Sequence, residues 1–91
     1  MAIEVRMPKL GMTMEVGKII EWKKNEGESV DNGELLLVVE TEKVLYEVES
    51  PGSGLVHIMV AEEQEVPVGE IIGSIAVDQI EYHPIHHTKR N

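Results

Sequence analysis

Residues 35–49 read LLLVVETEKVLYEVE, and the fold follows from these fifteen positions. Leu35 to Glu40 is apolar almost without interruption, which predicts a strand covered on both faces or central in its sheet. Val44 to Glu49 returns as its partner: Val44, Tyr46 and Val48 alternate with Leu45, Glu47 and Glu49. Leu, Val and Tyr in both arms suit a paired antiparallel hairpin. The break between the arms contains Lys43 and none of the Gly, Asn or Asp that ease a tight turn. A lysine in an exposed turn is the commonest of surface residues. This one, however, stands on two stiff apolar arms in a turn not chosen for backbone ease.

Working outward, Ile3, Val5 and Met7 alternate with Glu4 and Arg6, a half-buried strand that Pro8 ends because it has no N–H to donate. Gly11-Met12-Thr13-Met14 reads as a crossing loop. A second strand opens at Gly17 and ends near Trp22. Lys23 to Glu28 is a polar turn, Val30 a very short strand, and Asp31-Asn32-Gly33-Glu34 a turn in which Asn-Gly tolerates positive φ. Beyond the hairpin, Ser50 to Gly54 is a dense break. Leu55 to Val60 is a strand, Ala61 to Glu65 a polar turn, and Val66 to Val77 closes the fold. No stretch sustains a helical apolar period with a cap.

The second half repeats the first. Gly17-Lys-Ile-Ile-Glu-Trp matches Gly54-Leu-Val-His-Ile-Met. Asn25 to Val30 matches Glu62 to Val66 with one residue dropped, and Val30 to Leu36 matches Val66 to Ile72. A repeat of about 36 residues inside a small domain implies two like β-units about an approximate two-fold. Lys43 lies between the units and the chain ends lie outside them. A two-fold sandwich therefore puts the Lys43 turn at one end and both termini at the other.

Ninety-one residues make one domain that buries roughly 60–65% of its unfolded surface, too little for an α/β enzyme with a deep cleft. Seventeen acidic against eight basic side chains give a formal charge of −9. That disfavours nucleic acid, which needs a basic footprint, and fits either plain solubility or partners with basic patches. The absence of cysteine excludes a disulfide framework, a thiolate metal site and a cysteine nucleophile in the chain itself. No apolar run approaches a membrane span, and the N-terminus has neither signal-peptide nor transit-peptide character, so the expected location is the cytoplasm of a bacterial-type cell. Residues 1–78 read as the folded domain and 79–91 as a linker or poorly ordered end.

Lys43 has no second catalytic group beside it, and a hairpin tip offers no desolvation to lower its pKa. Its useful property is reach: a flexible stem ending in an amine that another enzyme can acylate. Glu40, Thr41 and Glu42 are either a recognition mark for partners or a solvated strand end. Met12 and Met14 read as packing residues, Trp22 as core, and His57 as structural or edge-exposed. His83, His86 and His87 have a spacing that permits two imidazoles on one side of a turn, without framing carboxylates.

With these residues in place, the chain from residue 3 to about 77 resembles the lipoyl domains of the biotinyl/lipoyl carrier family. The resemblance rests on Met7-Pro8-Lys9-Leu10-Gly11-Met12-Thr13-Met14, Gly17 with its strand to Trp22, Glu26-Gly27-Glu28, Gly33-Glu34, Glu40-Thr41-Glu42-Lys43-Val44, and Ser50-Pro51 with Gly54. Family members usually carry Asp-Lys-Ala at the tip. Here Glu42 adds a methylene and Val44 replaces a small residue. Biotinyl relatives flank their lysine with methionines, which this chain lacks, so the resemblance favours lipoyl. It implies an all-β fold, a flattened barrel or sandwich of two four-stranded sheets with quasi-two-fold symmetry. It also implies lipoic acid in amide linkage to Lys43 and no catalysis by the isolated domain. The implied parent is the acyltransferase component (E2) of a 2-oxo acid dehydrogenase complex of pyruvate, branched-chain or acetoin type. The implied partners are a lipoate ligase or lipoyl transferase, the thiamin-diphosphate decarboxylase (E1), the E2 catalytic domain and the flavin dehydrogenase (E3), with no nucleic acid and no membrane. A biotin carrier of a carboxylase and an unmodified β-sandwich binding module are the alternatives.

Overall fold

The computed structural model describes residues 2–42 and 44–77. Lys43 and the tail from residue 78, with the tail boundary and the His83, His86 and His87 reading, lie outside the described residues. Eight strands run β1 (Ala2–Arg6), β2 (Val16–Trp22), β3 (Ser29–Val30), β4 (Leu35–Glu40), β5 (Leu45–Glu49), β6 (Gly54–Ile58), β7 (Glu65–Pro67) and β8 (Ile71–Ala76). They form two four-stranded antiparallel sheets, ordered β1-β8-β6-β3 and β5-β4-β2-β7. Among the described residues there is no helix, and none long and apolar enough to cross a membrane. The all-β sandwich is as the sequence implied. Strand ends move by a residue or two: β5 begins at Leu45 rather than Val44, and β6 takes Gly54 and stops at Ile58.

The internal repeat becomes symmetry. Replacing β1, β2, β3 and β4 by β5, β6, β7 and β8, and the reverse, turns one sheet order into the other. The hydrogen bonds obey the same exchange. Gly27 N–H donates to Val56 O at 2.7 Å and Glu63 N–H to Ile19 O at 2.7 Å; Gly33 N–H donates to Ser50 O at 2.9 Å and Gly69 N–H to Met7 O at 2.9 Å. The exchange carries the β4–β5 turn onto the pair of chain ends, where Ala2 stands opposite Ala76. The turn and the chain ends therefore belong to different sheets.

The core lies between the sheets and is built from Val5, Met7, Ile19, Trp22, Val30, Leu36, Leu37, Val39, Val56, Val66, Ile72 and Ile75. Successive strand residues normally point to opposite faces, yet Leu36 and Leu37 are both fully buried. A register shift between Leu35 and Leu37 accounts for this, since a bulge lets two neighbours face the same side. A similar shift between Ile19 and Glu21 brings both Ile19 and Trp22 into the core. Trp22 satisfies its ring N–H on Val60 O at 2.9 Å, joining the ends of β2 and β6. The sheet edges are blunted: β5 carries Glu47 and Glu49 outward, and β7 contains Pro67.

Gly27 adopts φ +82°, and its symmetry mate Glu63 adopts φ +70°, in the left-handed region that costs a residue with a Cβ about 1–2 kcal/mol. Glu63 also reaches Lys18 at 3.3 Å, an exposed pair of small worth. Glu63→Gly relieves the strain but gives the unfolded chain more freedom. We expect a net gain of up to about 1 kcal/mol in urea-unfolding stability, with Gly27→Ala losing a similar amount. Leu36→Ala, by contrast, empties a fully buried site and costs about 2–5 kcal/mol.

Candidate functional site

Strand β4 is flanked on both sides, Glu40 standing opposite Lys18 in β2 and Leu45 in β5. The turn that follows is short. Thr41 N–H donates to Val44 O at 2.9 Å and the Thr41 hydroxyl reaches the same oxygen at 3.3 Å. Only Glu42 and Lys43 lie between the two bonded residues. Glu42 is exposed, and Val44 is 47% exposed. No described residue of the turn takes a positive φ. Backbone bonding, rather than glycine, therefore closes the turn, and Glu42 and Val44 face solvent.

The β1–β2 loop comes alongside. Met14 N–H bonds Gly11 O at 3.2 Å, and the Met14 sulfur accepts the Leu10 N–H at 3.1 Å. Met14 packs against the core, and Gly17 makes the close approach feasible: a Cβ there would sit 2.6 Å from Met7 Sδ and 2.9 Å from Met14 Cε. Met12, two residues from Met14, is 94% exposed. The expectation that both methionines pack thus holds for Met14 and fails for Met12, because the turn at Gly11–Met14 faces its apex outward. Between loop and turn lies a hollow of about 320 Å³, lined chiefly by Leu10, Met14, Val16, Thr41, Glu42 and Tyr46. A smaller hollow, of about 240 Å³, runs past Lys18, Glu40 and Glu65 and shares Val16, Thr41 and Glu42 with the first. With Glu15, Glu40, Glu42 and Glu65 around it, the end of the hairpin is acidic.

The other sequence-stated residues stand elsewhere. Trp22 is core. His57 lies in β6, in the opposite sheet, with Nδ1 2.9 Å from Glu26 Oε2, while Glu26 Oε1 accepts the Ile58 N–H at 2.7 Å. That is a structural arrangement holding the Glu26-Gly27-Glu28 turn onto β6. A separation of 31 residues hid it from sequence reasoning. Glu34 belongs to another such turn: the Asp31 N–H and then Lys24 hold its carboxyl below the usual carboxylate range. Among the described residues no three His, Cys, Asp or Glu side chains are grouped to hold a metal ion. Sequence reasoning also missed the hollow, although the inward phase of Tyr46 in the hairpin alternation pointed to one wall of it.

The family model described as "Biotin-requiring enzyme" (biotin/lipoyl) matches residues 3–75. The chain belongs to the biotin/lipoyl family. Its fold matches the solution structure of the lipoyl domain of the 2-oxoglutarate dehydrogenase complex from Azotobacter vinelandii, with a TM-score of 0.68 and 31% identity, covering 81% of this chain and 95% of that one. Over 73 residues it is 44% identical to the dihydrolipoyllysine-residue acetyltransferase component of the acetoin cleaving system of Bacillus subtilis, covering 79% of this chain and 18% of that protein. It is 43% identical over 76 residues to the dihydrolipoyllysine-residue succinyltransferase component of the 2-oxoglutarate dehydrogenase complex of Rickettsia bellii, covering 82% of this chain and 19% of that protein. The chain thus spans less than a fifth of the length of these two curated relatives.

The residues of this family member fit an apolar arm joined by an amide. The turn is open on the solvent side, and Leu10, Met14, Val16 and Tyr46 offer apolar atoms beside it. The two methionines of the loop should separate on substitution. Met12→Ser is expected to change stability by less than about 0.5 kcal/mol. Met14→Ser, which removes a packed side chain and the partner of the Leu10 N–H, is expected to cost about 1–3 kcal/mol in the same urea titration.

Proposed function

We propose that this chain is a lipoyl carrier domain, with lipoic acid carried in amide linkage on Lys43, serving the E2 acyltransferase of a 2-oxo acid dehydrogenase complex. The observation that supports it most strongly is the hydrogen-bonded two-residue turn at the exposed end of the central hairpin. It occurs in a chain whose fold matches a lipoyl domain over 95% of that domain's length. Glu42 and Val44 flank the lysine where biotinyl relatives have methionine, which favours lipoyl over biotin.

When attached, the lipoyl group supplies a disulfide able to accept electrons and an acyl group together, and to be reoxidised. The chain's own part is presentation. Strand β4, held between β2 and β5, fixes where the turn stands, and the Thr41–Val44 bond closes it. The acidic rim offers a charge pattern for partners with basic patches. Amide formation removes one positive charge and takes the formal −9 to −10 at pH 7. The partners proposed are a lipoate ligase or lipoyl transferase, E1, the E2 catalytic domain and E3. Tethering makes each encounter between arm and partner effectively intramolecular. The domain positions the group without itself performing chemistry, and pyruvate, branched-chain and acetoin complexes are the 2-oxo acid systems proposed.

Intact mass after incubation with a lipoate ligase should rise by one lipoyl group, and Lys43→Gln should abolish the rise. A biotin adduct formed by biotin ligase would instead support the biotin carrier, and no adduct with either enzyme would support the unmodified binding module. Exchanging the two turn residues (Glu42→Lys with Lys43→Glu) should abolish or greatly reduce modification. Equal modification of the displaced lysine would overturn the geometric basis of the proposal.

A further inference from the structure

We propose that Asn32 is a site of spontaneous covalent modification, deamidation through a cyclic imide, and that the Asp31–Glu34 turn is its gate. The inference is independent of the carrier reading. The chemistry needs an asparagine amide within reach of the next backbone nitrogen, with no side chain in the way. Asn32 is exposed, and Gly33 follows it. Asn25 is exposed too, but Glu26 follows it, and that side chain hinders ring closure.

The turn itself has no need of the amide. Gly33 takes φ +86° and its two-fold mate Gly69 takes φ +95°. Glu34 N–H donates to Asp31 O at 3.0 Å, as Glu70 N–H does to Pro67 O at 3.2 Å. Val68 stands in the second turn where Asn32 stands in the first. One backbone geometry thus carries a reactive side chain in one half of the molecule and an inert one in the other.

The fold holds the reaction off. Asn32 N–H donates to Ser53 Oγ at 2.8 Å, and Gly33 N–H donates to Ser50 O at 2.9 Å. The Gly33 nitrogen attacks only after losing its proton and swinging toward Asn32 Cγ, so its bond to Ser50 must break first. Modification therefore reports local opening of this turn, an event of lower free energy than global unfolding.

Attack forms the Gly33 N–Cγ bond and breaks Cγ–Nδ2, and the amide nitrogen leaves as ammonia. Water then opens the imide at either carbonyl. One product is aspartate with an ordinary main chain. The other is isoaspartate, whose main chain is longer by a methylene. Both add a carboxylate to a turn that already has Asp31 and Glu34, with Lys24 paired to Glu34 at 3.0 Å. The added methylene also displaces the Gly33–Ser50 bond and the Ser50 N–H bond to Glu34 O at 2.8 Å. Those bonds close the base of the β4–β5 hairpin, at the end of β4 remote from the Lys43 turn.

The test holds the intact chain at mildly alkaline pH, native or unfolded in guanidinium chloride, and follows Asn25 and Asn32 by peptide mapping. The unfolded chain should be modified at Asn32, and the native chain at the same residue about tenfold or more slowly. Denaturant below the unfolding transition should barely change the native rate, because opening one turn exposes little surface. Ser53→Ala, at an exposed position, should raise the native rate about two- to tenfold and leave the unfolded rate alone. The isoaspartyl chain should lose hydrogen-exchange protection at Gly33 and Ser50, while Asn32→Asp keeps it. Equal native and unfolded rates would overturn the gate. So would a native rate that climbs as steeply with denaturant as unfolding does, or one that Ser53→Ala leaves unmoved. Preferential modification of Asn25 would overturn the site, and retained protection in the isoaspartyl chain would overturn its effect on the hairpin.

Discussion

Everything in this protein depends on strand β4 being held from both sides while its own side chains fill the core. Leu36, Leu37 and Val39 have no solvent exposure, and β2 and β5 satisfy the strand's backbone. Removing that much apolar surface from water stabilises the strand by several kcal/mol, far more than an isolated hairpin could gain. A turn at the end of such a strand inherits its rigidity. That is why a backbone bond between Thr41 and Val44 can close the turn with no positive φ among its described residues.

The two-fold arrangement gives this central hairpin its place. Two like halves exchange strands so that each sheet contains elements of both, and neither half can bury its apolar face alone. The exchange equates the β4–β5 turn with the chain ends. Elsewhere the halves differ where the demands on them differ. Gly27 meets a positive φ cheaply, and Glu63 meets the same geometry under strain while contributing a carboxylate to Lys18. Glu26 is committed to β6 and His57, and Glu34 to its own turn and Lys24, so not every acidic residue of this acidic chain is available to a partner.

Much of this was legible in the residues. The apolar run of β4, the alternation of β5, the turn at Asp31–Glu34 and the matched glycines follow from local periodicity and turn chemistry, which act over a few neighbours. The same grounds single out Lys43 as a lysine in a turn between two apolar arms. Less legible was what the crossing loop does. Met12 and Met14 look alike in sequence, and only the path of the chain over Gly17 separates the packed one from the exposed one.

The sequence by itself determined the all-β class, the repeat and the central hairpin, because hydrophobic period and turn preference are properties of adjacent residues. Tertiary structure alone decided the bulges that turn Leu36 and Leu37 inward together, and the hold of Glu26 on β6. It alone decided the hollow that loop and turn enclose. Each of these needs segments far apart in the chain to be brought side by side, and the relative placement of packed surfaces is not written in any local pattern.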